Sequence, residues 1–128
     1  MTDMKMILII DDDKRICSLL KLKLEKDGKY KVIFSQEGMQ GVALAKKEKP
    51  DLIILDLVME GIQGNEVAHL LSQESLTKDI PIVFLSSLIT EEEVSAEGTF
   101  VSGRYLIPKT SNVNGVINGI ENYIDKYL

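Results

Sequence analysis

The sequence predicts one α/β domain organised on a five-stranded parallel sheet, and three observations carry that expectation. Five short apolar runs, Met6 to Ile10, Tyr30 to Phe34, Leu52 to Leu55, Ile80 to Leu85 and Tyr105 to Ile107, are each short enough to be a strand buried on both faces. Stretches with helical periodicity separate them. Strict alternation of the two patterns needs a long crossover after each strand, and helices laid on both sides of a parallel sheet supply it.

The first run holds only five apolar residues, too few for a signal-peptide core or a membrane span. A helix is expected next, from about Lys14 to Lys26, where Ile16, Leu19, Leu20, Lys23 and Leu24 form a mostly apolar stripe and Asp27-Gly28 stops it. The second helix reads from about Glu37 to Lys47 with Met39, Val42, Ala43 and Ala45 inward, and Pro50 marks its end. The third runs from Gly64 or Asn65 to Gln73, packing through Val67, Leu70 and Leu71, with Asn65 as its cap. Thr90-Glu91-Glu92-Glu93 has the form of a capping box, so a fourth helix is expected there, short or irregular because Gly98, Thr99 and Val101 follow. The last extends from about Asn112 to Tyr127 on Val113, Val116, Ile117, Ile120, Tyr123, Ile124 and Tyr127.

Composition narrows the function. Hydrophobic residues at 45% and charged residues at 27% are the proportions of a folded soluble chain, and 128 residues suffice for one core, so residues 1–128 are expected to form a single domain. A formal charge of -5 argues against nucleic-acid binding, which needs a basic face; Lys46-Lys47-Glu48-Lys49 reads as a solvated helix end. The single cysteine, Cys17, falls among apolar residues and is expected to be a buried structural thiol in a reducing, cytoplasmic setting. His69 sits on the third helix without evident partners and reads as a surface or half-buried residue.

In open parallel sheets the chemistry gathers beyond the C-terminal strand ends. Asp11, Asp12 and Asp13 follow the first strand and Asp56 the third, so these carboxylates are expected at one edge. Two unit negative charges about 4 Å apart repel by roughly 4 kcal/mol at a surface-like dielectric. A hard divalent cation such as magnesium is the natural compensator. The Asp run also suits a helix N-terminus, with Asp13 as its cap. Asp56 is harder to explain by structure alone, because an ionised carboxylate closing Leu52-Ile53-Ile54-Leu55 is costly unless paired. Ser86 closes the fourth strand with a hydroxyl, and Lys109 follows the fifth with a mobile ammonium. Nucleophile, cation, hydroxyl and ammonium are the parts required to attack phosphorus and to neutralise the charge that develops on it.

At this point the chain resembles the receiver domains of response regulators, the CheY-like family of two-component systems, over essentially its whole length. The motifs are Ile7-Leu8-Ile9-Ile10-Asp11-Asp12-Asp13, the segment Pro50 to Gly64 around Asp56, Pro81-Ile82-Val83-Phe84-Leu85-Ser86-Ser87, and Leu106-Ile107-Pro108-Lys109. The resemblance implies a flavodoxin-like, doubly wound (βα)5 sheet with strand order 2-1-3-4-5. It implies that Asp56 is the phosphoacceptor, that Asp12 and Asp56 bind Mg2+ directly with Asp11 helping through water, and that the Val58 carbonyl is a further ligand. Ser86 would be the switch hydroxyl and Lys109 the ammonium contacting the phosphoryl group. The implied partners are a sensor histidine kinase or histidine phosphotransfer protein and a downstream protein target. The expected state is a monomer or a phosphorylation-dependent dimer, without an output domain.

The chain departs from that family at several points. Glu60 stands where a proline is usual, so a looser loop is expected after the phosphoacceptor. Lys109 is followed by Thr110 and preceded by Pro108, so the usual Lys-Pro geometry is not carried over. Leu106 occupies the aromatic switch position, and Tyr105 should point to the opposite side of its strand. Val58 and Leu88, at positions resembling those that tune hydrolysis, are both apolar, and a long-lived phosphoryl group is expected. Two alternatives stay open. One is a pseudo-receiver that binds without phosphorylation; the other is a haloacid-dehalogenase-like phosphatase in which Asp11 and Asp13 act together, although Lys14-Arg15 departs from the small residues of that family.

Overall fold

The computed structural model describes residues 4–59, 61–87, 97–101, 103–109 and 112–128. The elements are β1 (Lys5–Ile10), α1 (Lys14–Glu25), β2 (Tyr30–Ser35), α2 (Gly38–Glu48), β3 (Leu52–Asp56), α3 (Gly64–Gln73), β4 (Ile82–Ser86), β5 (Thr99–Val101), β6 (Arg104–Pro108) and α4 (Val113–Tyr127). The sheet runs in the order β2-β1-β3-β4-β6-β5. Its first five members are parallel and correspond to the five predicted strands in the predicted 2-1-3-4-5 order.

The sixth strand is an addition to the expected five. Thr99–Val101 pairs antiparallel with β6, with Val101 opposite Arg104, and Gly103 just before β6 has φ 80°. The same Gly98, Thr99 and Val101 that weaken a helix suit a short edge strand, and an antiparallel edge on a parallel sheet is a common arrangement. The helix expected from Thr90 lies outside the described residues.

Apolar runs buried on both faces divide the core in two. Ile7, Ile9, Leu52, Ile54, Val83, Leu85 and Ile107 meet α1 and α4 through Cys17, Leu20, Leu24, Val116, Ile120 and Tyr123. The alternate strand positions Leu8, Ile10, Ile53, Leu55, Phe84 and Leu106 meet α2 and α3 through Val42, Ala45, Val67 and Leu71. Successive side chains of a strand point to opposite faces, so each run fills both layers.

Helix ends follow local chemistry. Asp13 caps α1 by accepting the Arg15 N–H at 2.9 Å, and Asn112 caps α4 by accepting that of Gly115 at 2.8 Å. Lys49 takes a left-handed conformation at φ 49° and closes α2 just before Pro50. The cap of α3 is Gln63, not Asn65, and it makes no side-chain capping bond.

The inward face of α2 differs from the expected one. Met39 is 55% exposed and Ala43 is exposed, whereas Gly38, Gly41, Val42 and Ala45 face the core. Close approach of backbone explains the choice, since a Cβ on Gly41 would stand 2.6 Å from the Ile10 Cδ1. The helix lies too near the sheet for large side chains.

Cys17 is fully buried, and its Sγ donates a 3.4 Å bond to the Asp11 carbonyl. Burial, reinforced by the charges of Asp11 and Asp13, pushes its thiol up to about 12. Alkylation by iodoacetamide at about pH 8 is therefore expected to be undetectable in the native protein and complete in denaturant. Native-state modification at the rate of a free thiol would contradict this burial.

Candidate functional site

Parallel strands deliver their C-terminal ends to one edge, and the register fixes which residues meet there. Ile10 pairs with Leu55, Asp56 with Leu85 and Ser86 with Pro108. Backbone bonds continue the ladder past the strand ends. The Leu57 N–H donates to the Leu85 carbonyl at 3.0 Å, and the Lys109 N–H to the Ser86 carbonyl at 2.8 Å. Residues far apart in sequence are thus held as neighbours by the backbone alone.

Four of the predicted residues converge. Asp11, Asp12 and Asp56 each offer a carboxylate oxygen within 4.8 Å of the others. The Lys109 ammonium lies between two of them, donating to Asp56 Oδ2 at 2.9 Å and to Asp11 Oδ1 at 3.0 Å. Asp11 Oδ1 also accepts the Asp13 N–H at 2.9 Å, and Asp56 Oδ1 accepts the Val58 N–H at 3.2 Å. Asp11 Oδ2 is buried and accepts no hydrogen bond; Lys109 Nζ is 2.9 Å from it in ion-pair contact only. Ser86 is 1% exposed at the end of β4, and Val58 is 43% exposed just past Asp56.

Burial and crowding set the electrostatics. Loss of solvent raises the Asp11 carboxyl to about 6, aided by the charge of Asp56 and opposed by the Asp13 N–H and by Lys109. For Lys109 burial acts against the charge, but hydrogen bonds to Asp11 and Asp56 outweigh it and raise its pKa. Two buried carboxylates thus share one ammonium. An orphaned buried oxygen inside a set of hard oxygen donors fits a magnesium ion, which favours carboxylates and completes its shell with water and phosphate oxygens.

Tyr105 and Leu106 face opposite sides of β6 as expected. Leu106 joins the core beneath α2 and α3, while Tyr105 packs on the other layer against Phe100 and Tyr123 at ring-centroid distances of 5.0 and 5.1 Å. His69 is exposed on α3. Glu60, Leu88 and Thr110 lie outside the described residues. Gly64 is a site residue that the sequence reading does not find. A Cβ there would stand 2.7 Å from the Leu57 Cα and nearer still to the Asp56 carbonyl oxygen, and its N–H donates to the Leu57 carbonyl at 3.0 Å. A glycine opening a helix is the only sequence signal, and it does not reveal what the helix rests on.

The raised pKa of Asp11 has a defined sign. Its contribution to folding is fully present below the ordinary value of 3.8 and is lost as pH rises through about 6. In metal-free protein the urea midpoint is expected to fall as pH rises from about 4 to about 6, and to fall less in Asp11→Asn. Lys109→Met should destabilise metal-free protein at neutral pH by about 3 kcal/mol, the lower end for breaking a buried ion pair, because Lys109 keeps 19% exposure. Adding Asp11→Asn to that variant should recover part of the loss.

The model for the response regulator receiver domain matches residues 7–121. Protein PilH of Pseudomonas aeruginosa is 37% identical over 84 residues, covering 66% of this chain and 69% of PilH. The DNA-binding dual master transcriptional regulator RpaA of Synechocystis is 42% identical over 85 residues, 66% of this chain and 35% of RpaA, so the chain spans about a third of that relative's length. Chemotaxis response regulator CheY4 of Vibrio cholerae superposes with a TM-score of 0.76 at 26% identity, covering 94% of this chain and 98% of that one. The Mn(2+)-bound form of response regulator Rcp1 gives 0.71 at 26% identity over 97% of this chain and 96% of the other. A family match across nearly the whole sheet, together with an acidic cluster at its C-terminal edge, establishes the family: the chain belongs to the response regulator receiver domains.

Proposed function

We propose that Asp56 accepts a phosphoryl group from the phosphohistidine of a sensor histidine kinase or a histidine phosphotransfer protein. The observation that carries this reading is the Lys109 ammonium held between Asp11 and Asp56, because it joins a buried acid pair to a mobile cation able to follow a phosphoryl group. An Asp56 oxygen attacks phosphorus, the bond from phosphorus to the donor nitrogen breaks, and the electron pair leaves with the imidazole. Ser86 and Lys109 meet the phosphoryl oxygens as charge spreads over them. The residues that would hold a magnesium ion are Asp11, Asp12 and Asp56 with the Val58 carbonyl, and the ion would supply neutralisation of that charge.

Asp56 is 1% exposed with Lys109 against Oδ2, so a donor reaches it when the long lysine stem swings away. Phosphorylation then adds charge and acceptor oxygens, and the domain acts on a downstream protein partner through the surface it changes. That a protein of similar fold, response regulator Rcp1, has an Mn(2+)-bound form supports a divalent cation as a ligand of this domain. A cytoplasmic setting is the one we propose, as the family implies; among the described residues no helix is long and apolar enough to cross a membrane.

Incubation with acetyl phosphate and magnesium is expected to add one phosphoryl group by mass, with none added in Asp56→Asn or in the presence of a chelator. Wild-type protein that stays unlabelled under conditions where magnesium binds would leave a pseudo-receiver, and sustained hydrolysis of a phosphate ester would point to a phosphatase. The exposed apolar Val58 cannot orient an attacking water, so Val58→Asn is expected to shorten the half-life of the phosphorylated protein several-fold. A large slowing in that variant would refute the role given to Val58.

A further inference from the structure

We propose that Arg104, which no site motif includes, is a positioning residue for the phosphoacceptor loop; the inference rests on Asp56 being the phosphoacceptor. Arg104 opens β6 and has two partners among the described residues. Its Nη1 donates to Asn65 Oδ1 on the first turn of α3, and its guanidinium lies 5.1 Å from the centroid of the Phe84 ring on β4. Both partners stand one step from the site.

Asn65 follows Gly64, which is packed against the Asp56–Leu57 backbone with no space for a Cβ and is hydrogen-bonded to the Leu57 carbonyl. The first turn of α3 therefore sets the position of the backbone that carries Asp56. Phe84 is 3% exposed, pairs with Leu55 in β3, and precedes Ser86 on the same face of β4. A planar guanidinium can stack on the ring and hold the carboxamide at once, so Arg104 ties α3 to the strand carrying Ser86.

The guanidinium is exposed, and that sets the size of the effect. One hydrogen bond to a charged donor and one exposed cation–π contact together hold a local equilibrium by roughly tenfold. That is too little to govern global unfolding. It is enough to matter for a reaction that depends on placement.

The test compares wild type with Arg104→Ala, Arg104→Lys, Asn65→Asp and Asn65→Leu. In metal-free protein, exchange of the Gly64 amide is expected to be about tenfold faster in Arg104→Ala and Asn65→Leu, with core amides such as Ile9 and Ile54 unchanged. Asn65→Asp, which keeps the acceptor, should behave as wild type, and Arg104→Lys should fall between. The saturating rate of magnesium-dependent labelling of Asp56 should follow the same order at an unchanged half-saturating concentration of acetyl phosphate. Gly64 exchange within about twofold of wild type in Arg104→Ala would overturn the clamp. Faster exchange with an unchanged labelling rate would overturn its role in the reaction. A wild-type protein that takes no label removes the functional reading, and the exchange measurement then decides the clamp by itself.

Discussion

Two buried acids cannot share a strand edge unless something positive lies between them, and here that something is Lys109. Asp11 and Asp56 end strands whose preceding residues are fully buried, and the backbone ladder leaves them no freedom to separate. At close range their repulsion is worth several kcal/mol, comparable to a large part of a domain's net stability. The ammonium relieves it, with hydrogen bonds that reach across 98 and 53 residues of sequence. The relief is incomplete. One Asp11 oxygen still lacks a hydrogen bond, and burial holds the carboxyl at about 6, well above its ordinary range. Among the described residues the acid pair is thus only partly compensated, which fits the divalent cation proposed for this edge.

Topology makes that crowding possible. Four strand ends reach one edge only because their strands run in parallel, and they do so only because helices return the chain over both faces. Two core layers then grip the parallel strands from above and below, so an end residue has little lateral play. Rigidity in the apolar runs and mobility in the lysine stem divide the labour between them.

The central strands and most of the site are legible because burial on both faces leaves a mark that survives in one dimension: an unbroken apolar run. A polar residue at the end of such a run stands out, and Asp11, Asp56 and Ser86 all do. What is not legible depends on distances between backbones. Nothing in the spacing of α2 shows that the helix comes so close to Ile10 that Gly41 faces inward while Met39 is exposed at 55%. Asn65 reads as a cap because capping chemistry is local, yet its carboxamide accepts from Arg104, a partner 39 residues away. The strand at Thr99–Val101 is hidden for a similar reason, since three residues are too few to show a period and their pairing with β6 decides the outcome.

The same limits bear on how the proposed phosphorylation would reach the surface. Leu106, at the position where the family carries an aromatic ring, is an aliphatic side chain 9% exposed in the layer beneath α2 and α3, with no ring to rotate. The neighbouring Tyr105 is held on the other face by Phe100 and Tyr123, and its hydroxyl donates to the Glu97 carbonyl at 3.1 Å. Phe100 and Tyr123 each touch Tyr127 in turn, so four rings form one connected group spanning β5, β6 and α4. Each ring pair is worth about 0.5 to 1.5 kcal/mol beyond the burial of its surface, so the contacts favour neighbouring rings moving together without locking any one of them. The ring contacts thus couple β5 and β6 to α4 by packing, where a single aromatic switch would have acted alone.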